Sequence, residues 1–421
     1  MTERLTEGLL TLLSFFTTSL LFYAAAGATG KIPNIEIILA PVIIFAAFLI
    51  TGQLIRFFIY MPNPYVLPLV HMLVMTGLSM IFRLNPNLAK LQFNWIHTGL
   101  LALILTSLAV RKYKALSNYK YIFGALAFIF IFSTAFLGVE VNGARLWLRI
   151  AGMSFQPSEI GKIFMVIFLA GYLSERSDVF SLGTRKVLGI RIAGLRHIGP
   201  LVLMWGLSVL LLIFEKDLGA SLLFFAIFLI MVYVSSGRLT YIIMGLILFI
   251  LGSYICYLIF PHIQNRVAIW INPWTYYSGT GYQVAQGLIS LAAGGITGRG
   301  IGLGMPNIIP VNFSDFIFAA FGEEIGLLGL MGLLGTYLTL IFFILRTAIN
   351  CNDRFGKLLC TGIGAIISMQ CFIIIGGVIK IIPLTGITLP FLSYGGSSML
   401  SNLIAIAFVL SISQGWKTGV E

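Results

Sequence analysis

The sequence predicts an all-α, polytopic membrane protein with about 12 transmembrane helices. Three observations carry that reading. Of 421 residues, 59% are hydrophobic and only 10% charged, with a mean hydropathy of +1.01, whereas soluble domains carry about 25% charged residues. The apolar residues form continuous runs long enough for a helix to cross a bilayer, which needs about 20 residues. They do not alternate over short segments, so a membrane β-barrel is excluded.

Taken in order, the candidate spans are 9–27, 35–55, 65–82, 92–110, 121–139, 158–174, 198–214, 217–234, 239–260, 323–345, 359–379 and 397–414. The N-terminus lacks a basic region followed by a small-residue cleavage site, so the first run is expected to be retained as an anchor. Basic residues set the orientation. With both termini cytoplasmic, sixteen of the 26 Lys and Arg residues fall in inner segments and nine in outer ones, with Lys162 inside a span. The positive-inside rule favours this arrangement. The net charge of +12 then reflects inner loops facing anionic lipid, not nucleic acid, because no basic run carries interleaved aromatics outside a span.

Between the ninth and tenth spans, the outer loop 261–321 holds Trp270, Trp274, Tyr276, Tyr277 and a glycine-rich run from Gly294 to Gly304. A second outer segment, 140–157, holds Arg145, Trp147 and Arg149, and a third, 380–396, reads KIIPLTGITLPFLSYGG. Irregular backbone at membrane depth needs protein or a cavity to cover it, so functional structure is expected on the outer face. The inner loop 175–197 is expected to be a solvated connector. No internal repeat is evident, which weighs against an inverted-repeat transporter.

The four cysteines show no CxxC spacing and the four histidines no i, i+4 pair, so neither a zinc site, a disulfide framework nor a Ser-His-Asp arrangement is predicted. The run GGITGRGIGLG lacks the Walker pattern. It reads as a flexible loop, or with Arg299 as a backbone contact for phosphate.

The fourteen acids can be sorted completely. Glu3, Glu7, Glu175, Asp178, Asp353 and Glu421 lie in inner segments or tails, while Glu36, Glu140, Glu159, Glu215, Asp217, Asp315, Glu323 and Glu324 lie on the outer side or within spans. A carboxylate there is costly unless paired or functional. Glu159 and Lys162 stand at i, i+3 and share a helix face. They form a packing salt bridge or the polar wall of a cavity. Asp217 either caps the next helix or lies in a solvated turn with Glu215 and Lys216. Asp315, before a long apolar run, reads as an N-cap, or as a general base at a cavity mouth with Glu323 and Glu324 near it. Apolar Phe313, Phe316 and Phe318 around that carboxylate favour a raised pKa.

At these residues the sequence resembles the SEDS family (shape, elongation, division and sporulation), the group of FtsW, RodA and SpoVE. Five blocks match in order over about 60–415: NGARLWLRIAGMSFQPSEIGK, EKDLGAS, NRVAIWINPW with the glycine-rich stretch after it, SDFIFAAFGEEIG, and PLTGITLPFLSYGGSS. Ile374 and Lys380 depart from the family's usual Asn and Gly, and Lys216 replaces the usual proline before Asp217. The resemblance implies a ten-helix core over 61–421, with 1–60 as two added N-terminal helices. It also implies a peptidoglycan glycosyltransferase of the bacterial cytoplasmic membrane, polymerising lipid II (the undecaprenyl-pyrophosphoryl disaccharide-pentapeptide) beside a class B penicillin-binding protein. Asp315 would be catalytic, and Glu159 and Lys162 would line the cavity. Arg145, Trp147, Arg266, Arg299, Glu323, Glu324, Ser393 and Ser397 are the further expected cavity or substrate contacts. Lys162 and the three arginines are candidates to stabilise a departing pyrophosphate, a task a divalent cation (Mg or Mn) could share. A lipid II flippase and a non-catalytic scaffold for the penicillin-binding protein are the competing expectations.

Overall fold

A computed structural model describes residues 2–30, 35–141, 144–150, 153–182, 185–187, 190–192, scattered residues within 199–213, and 216–414. Among these, ten helices are long and apolar enough to cross a membrane, and the shorter apolar helix Gly396–Ile412 follows them. The architecture is the expected all-α polytopic one. The expected span 198–214 and Glu215 lie largely outside the described residues.

The chain divides into two compact units. The first comprises Met1–Arg111, Ala268–Thr347 and Gln370–Glu421. It holds α1 (Thr2–Gly27), α2 (Ile35–Phe58), α3 (Val66–Leu84) and α4 (Pro86–Ala109). Helix α4 starts where Asn85 accepts from the Asn87 and Leu88 N–H groups and Pro86 takes the first turn, the position where a missing N–H costs nothing. Helix α3 is the centre of this unit. It is 83% buried over its apolar window, while α1, α2 and α4 lie between 22% and 33% and turn most of their surface outward. That difference is what lipid solvation requires of a peripheral helix. Small residues let the elements approach: Gly77 lies against the Leu392 backbone and Gly99 against Leu403 of α13 (Gly396–Ile412).

The second unit comprises Lys112–Val267 and Ala348–Met369. It holds α5 (Lys120–Leu137), α6 (Pro157–Leu182), α7 (Leu218–Ser236) and α8 (Leu239–Ile259). Here α6 is central, 83% buried, and α8 peripheral, 6% buried. Asp217 caps α7 by accepting from the Ala220 N–H at 2.9 Å, and Gly237 closes the helix in the left-handed region, φ 68°.

Four segments differ from the sequence expectation. The segment 140–157 builds a small antiparallel sheet, β1 (Val139–Val141), β2 (Ala144–Ile150) and β3 (Met153–Phe155), paired in the order β1-β2-β3. The alternation in ARLWLRI is a strand pattern, too short for a span-length window to register. The connector 175–197 carries a second antiparallel pair, β4 (Arg185–Val187) with β5 (Ile190–Ile192). The loop 261–321 contains two helices, α9 (Pro261–Ile271) and α10 (Tyr282–Gly294). The tenth expected span starts earlier than 323, as α11 (Ile317–Asn350), and is broken at Gly326, φ 66°, ψ −172°. Helix α12 (Arg354–Val378) follows it.

Candidate functional site

Asp315 stands in the turn that enters α11, half-buried. The carbonyl of Phe316 accepts from the Ala320 N–H at 3.1 Å. Phe316 therefore holds the N-cap position, and Asp315 precedes it, which corrects the expectation that Asp315 caps this helix. Ser314 Oγ donates to Asp315 Oδ1 at 2.8 Å. On the other side lies Gly386, where a Cβ would stand 3.5 Å from Asp315 Oδ2. Phe316 and Phe318 are buried, and Phe313 meets Tyr394 edge-on, with ring centroids 5.8 Å apart.

The segment 380–396 is fastened to this turn. Ser393 Oγ donates to the Ser314 carbonyl at 2.7 Å and accepts from the Leu389 N–H at 3.0 Å, while the Tyr394 N–H donates to the Phe313 carbonyl at 2.9 Å. Buried Gln92 joins the same network: its Nε2 donates to the Ser393 carbonyl at 3.4 Å and its Oε1 accepts from the Gly395 N–H at 3.3 Å. Ser393 thus holds the wall opposite Asp315, and Ser397 is buried in the first turn of α13. Gln92 escapes sequence reasoning because a lone glutamine in an apolar helix carries no spacing signal.

Glu323 and Glu324 do not join Asp315. Glu323 accepts from Ser290 Oγ at 2.7 Å and from the Met305 N–H at 2.8 Å, and Arg299 Nη1 lies 3.4 Å away. Glu324, also buried, pairs with Arg83, whose Nε is 3.4 Å from Oε1. Both carboxylates therefore organise the glycine-rich loop. Its backbone docks on the break in α11: the Arg299 and Gly300 N–H groups donate to the Glu323 and Glu324 carbonyls at 3.0 and 2.9 Å, and the Leu327 and Leu328 N–H groups donate to Gly295 and Ile296. A Cβ on Gly326 would meet the Gly298 nitrogen at 2.1 Å. The loop that the composition reads as flexible is thus fastened by its own backbone.

In the second unit, Lys162 Nζ donates to Glu159 Oε2 at 2.6 Å, with both side chains nearly withdrawn from the surface. Asp217 is buried and accepts from Gln156 Nε2 at 3.2 Å as well as from Ala220. Burial pushes the Asp217 carboxyl up to about 6; Glu159 adds to the rise, and the Ala220 N–H, Arg266 and Gln156 oppose it. Asp217 is therefore a buried cap, not part of a solvated turn. Arg145, exposed on β2, lies 3.6 Å from Glu140, and Trp147 pairs with Val139 across the sheet.

Among the described residues no three His, Cys, Asp or Glu side chains are grouped to hold a metal ion.

Comparison with known proteins places these features in context. The family model for the FtsW, RodA and SpoVE cell cycle proteins matches residues 64–418. The peptidoglycan glycosyltransferase RodA of Mycobacterium tuberculosis is 41% identical over 375 residues, covering 86% of this chain and 80% of the relative. A probable peptidoglycan glycosyltransferase FtsW of Coxiella burnetii is 33% identical over 320 residues, covering 74% and 82%. Among solved structures, a chain from a study of the structural coordination of polymerization and crosslinking by a peptidoglycan synthase complex superposes with a TM-score of 0.71 at 25% identity, covering 83% of this chain and 97% of its own. The crystal structure of the Thermus thermophilus rod shape determining protein RodA gives a TM-score of 0.59 at 22% identity, covering 85% and 98%.

Proposed function

This chain belongs to the FtsW, RodA and SpoVE family and is a peptidoglycan glycosyltransferase, and we propose that it polymerises lipid II on the outer face of the cytoplasmic membrane with Asp315 as general base. The observation that carries the assignment is the position of Asp315. Its carboxylate stands outside the cap of α11, oriented by Ser314 and faced by a glycine that leaves space before Oδ2.

The chemistry is a glycosyl transfer. Asp315 takes the proton of the acceptor sugar's 4-hydroxyl as that oxygen bonds to the anomeric carbon of the donor. The bond from that carbon to the donor's pyrophosphate breaks, and the electron pair leaves with the phosphate. Cations must offset the charge that develops there. Arg299 shares a compact unit with Asp315 and sits on the docked glycine loop. Lys162, Arg145 and Arg266 are the other cations that the motif resemblance brings to this role. The apolar helices suit a polyprenyl tail. A class B penicillin-binding protein is the proposed partner, supported by the likeness to a chain of a peptidoglycan synthase complex. The excess of basic residues in the inner segments supports cytoplasmic termini.

The test is purified protein with labelled lipid II in detergent, with and without the partner. Glycan polymer formed with no second compartment supports the enzyme. Lipid II translocation in vesicles with no polymer in detergent contradicts it, and so does growth fully supported by an inactive Asp315 variant.

A further inference from the structure

Residues 1–60 precede the matched region 64–418, and nothing in the chemistry above uses them. Their packing is specific all the same. Phe22, Ala25 and Ala26 of α1 are buried, and Phe22 packs at a tilt against Phe82 of α3 with ring centroids 5.2 Å apart. Leu21 and Ala25 wall a cavity of about 10 Å³ together with Arg83, Ile301 and Glu324, a space about large enough for one water. One turn further on, the chain leaving α1 touches the glycine-rich loop itself. A Cβ on Gly302, φ +83°, would stand 2.0 Å from the Ala28 Cβ. Arg83 Nη2 donates to the Gly302 and Gly304 carbonyls at 3.2 and 3.4 Å.

Gly302 is therefore held between two elements: the end of α1 and an arginine that is itself ion-paired with Glu324. A simple lipid-facing anchor would need only an apolar surface and would tolerate any side-chain size at Ala28. The observed fit is tight at one methyl group.

From this clamp we infer that the N-terminal helix is a positioning element of the enzyme, and that its Ala28 end fixes the outer loop 295–304 through Gly302. That loop carries Arg299, so its placement sets how the substrate pyrophosphate is met. The link to substrate rests on the functional reading above; the link between α1 and the loop does not.

The experiment substitutes Ala28 in the full-length protein, which leaves the left-handed Gly302 backbone, φ +83°, without a side chain. Hydrogen exchange is read at the Arg299 and Gly300 amides, which donate to the break in α11, and KM and kcat are read with lipid II. Ala28→Leu drives a larger side chain against Gly302 and is expected to speed exchange at those two amides about tenfold, as a displaced tight contact should, and to raise KM more than it lowers kcat. Ala28→Ser, close to alanine in size, should stay near wild type. Leu20→Ala, on the outward face of α1 where Leu20 is 73% exposed, should change neither. Unchanged exchange at those amides in Ala28→Leu, or faster exchange spread equally over α3, would overturn the inference. A wild-type protein that makes no polymer would contradict the functional reading, and the exchange comparison would still decide the role of α1.

Discussion

Lys162 and Glu159 form an ion pair at 2.6 Å one helical turn apart, with side-chain exposures of 2% and 10%. The i, i+3 spacing brings them together, and burial makes the pair consequential. Removing one partner from a buried pair leaves an uncompensated charge and costs about 3–5 kcal/mol. Lys162→Met alone should therefore lower thermal stability in detergent sharply. Lys162→Met with Glu159→Gln should recover most of it. A double variant that is stable yet inactive would show that the ammonium serves the reaction, whereas a single variant as stable as wild type would contradict the pairing.

Asp217 should give stability a pH dependence. Its folded pKa, about 6, lies above the ordinary 3.8 because burial disfavours the carboxylate. The folded state therefore holds this proton more tightly than the unfolded state. The resulting stability is fully present below about pH 3.8 and is lost as pH rises through about 6. Thermal unfolding followed from pH 4 to 8 should fall over this window, and Asp217→Asn, which keeps the capping oxygen, should flatten the slope. An unchanged slope in that variant would contradict the assignment.

Gly326 should not tolerate a side chain. A methyl there meets the Gly298 nitrogen at 2.1 Å, on a backbone with φ 66°. Steric displacement and left-handed strain together should cost about 1–3 kcal/mol. The loss should concentrate in protease resistance of the loop 295–304, with the spanning helices intact. Gly332→Ala in the same helix, where the methyl enters open space, is the comparison.

Lys380 latches the loop 261–321 to the segment that walls Asp315. Its carbonyl accepts from Trp270 Nε1 at 3.1 Å and its ammonium donates to the Ile271 carbonyl at 3.2 Å, at a backbone φ of 65°. Lys380→Gly relaxes the left-handed backbone but loses a helix-end cation worth about 0.3–1 kcal/mol, so its stability should stay near wild type. Lys380→Val loses the cation and adds β-branched strain, and should be clearly less stable in a thermal unfolding assay. Equal stabilities would show that the backbone conformation at 380 carries no strain.

The membrane helices were legible because lipid solvation demands long apolar runs, and that demand is written locally. The Glu159–Lys162 pair was legible for a similar reason, since helical spacing alone brings the two residues together. The strand 144–150 and the helix 282–294 were not, because each is shorter than a span and lies between spans. The role of Glu323 was hidden as well. Its partners Ser290, Arg299 and Met305 are brought to it by a loop docking on a helix break through backbone contacts, which leave no periodic trace. Asp315 shows the same limit at single-residue scale. Sequence pattern placed it at a helix entrance, but only the hydrogen bond from Ala320 to Phe316 separates the N-cap residue from the one before it.

The most direct measurement is lipid II polymerisation by Asp315→Asn beside wild type, each checked for equal folding by thermal unfolding. Asparagine keeps the size and the contact with Ser314 but cannot take a proton. The account predicts that kcat falls about 10²–10⁴-fold, the usual contribution of a general base, while lipid II binding is retained. Full glycan formation by Asp315→Asn would contradict it.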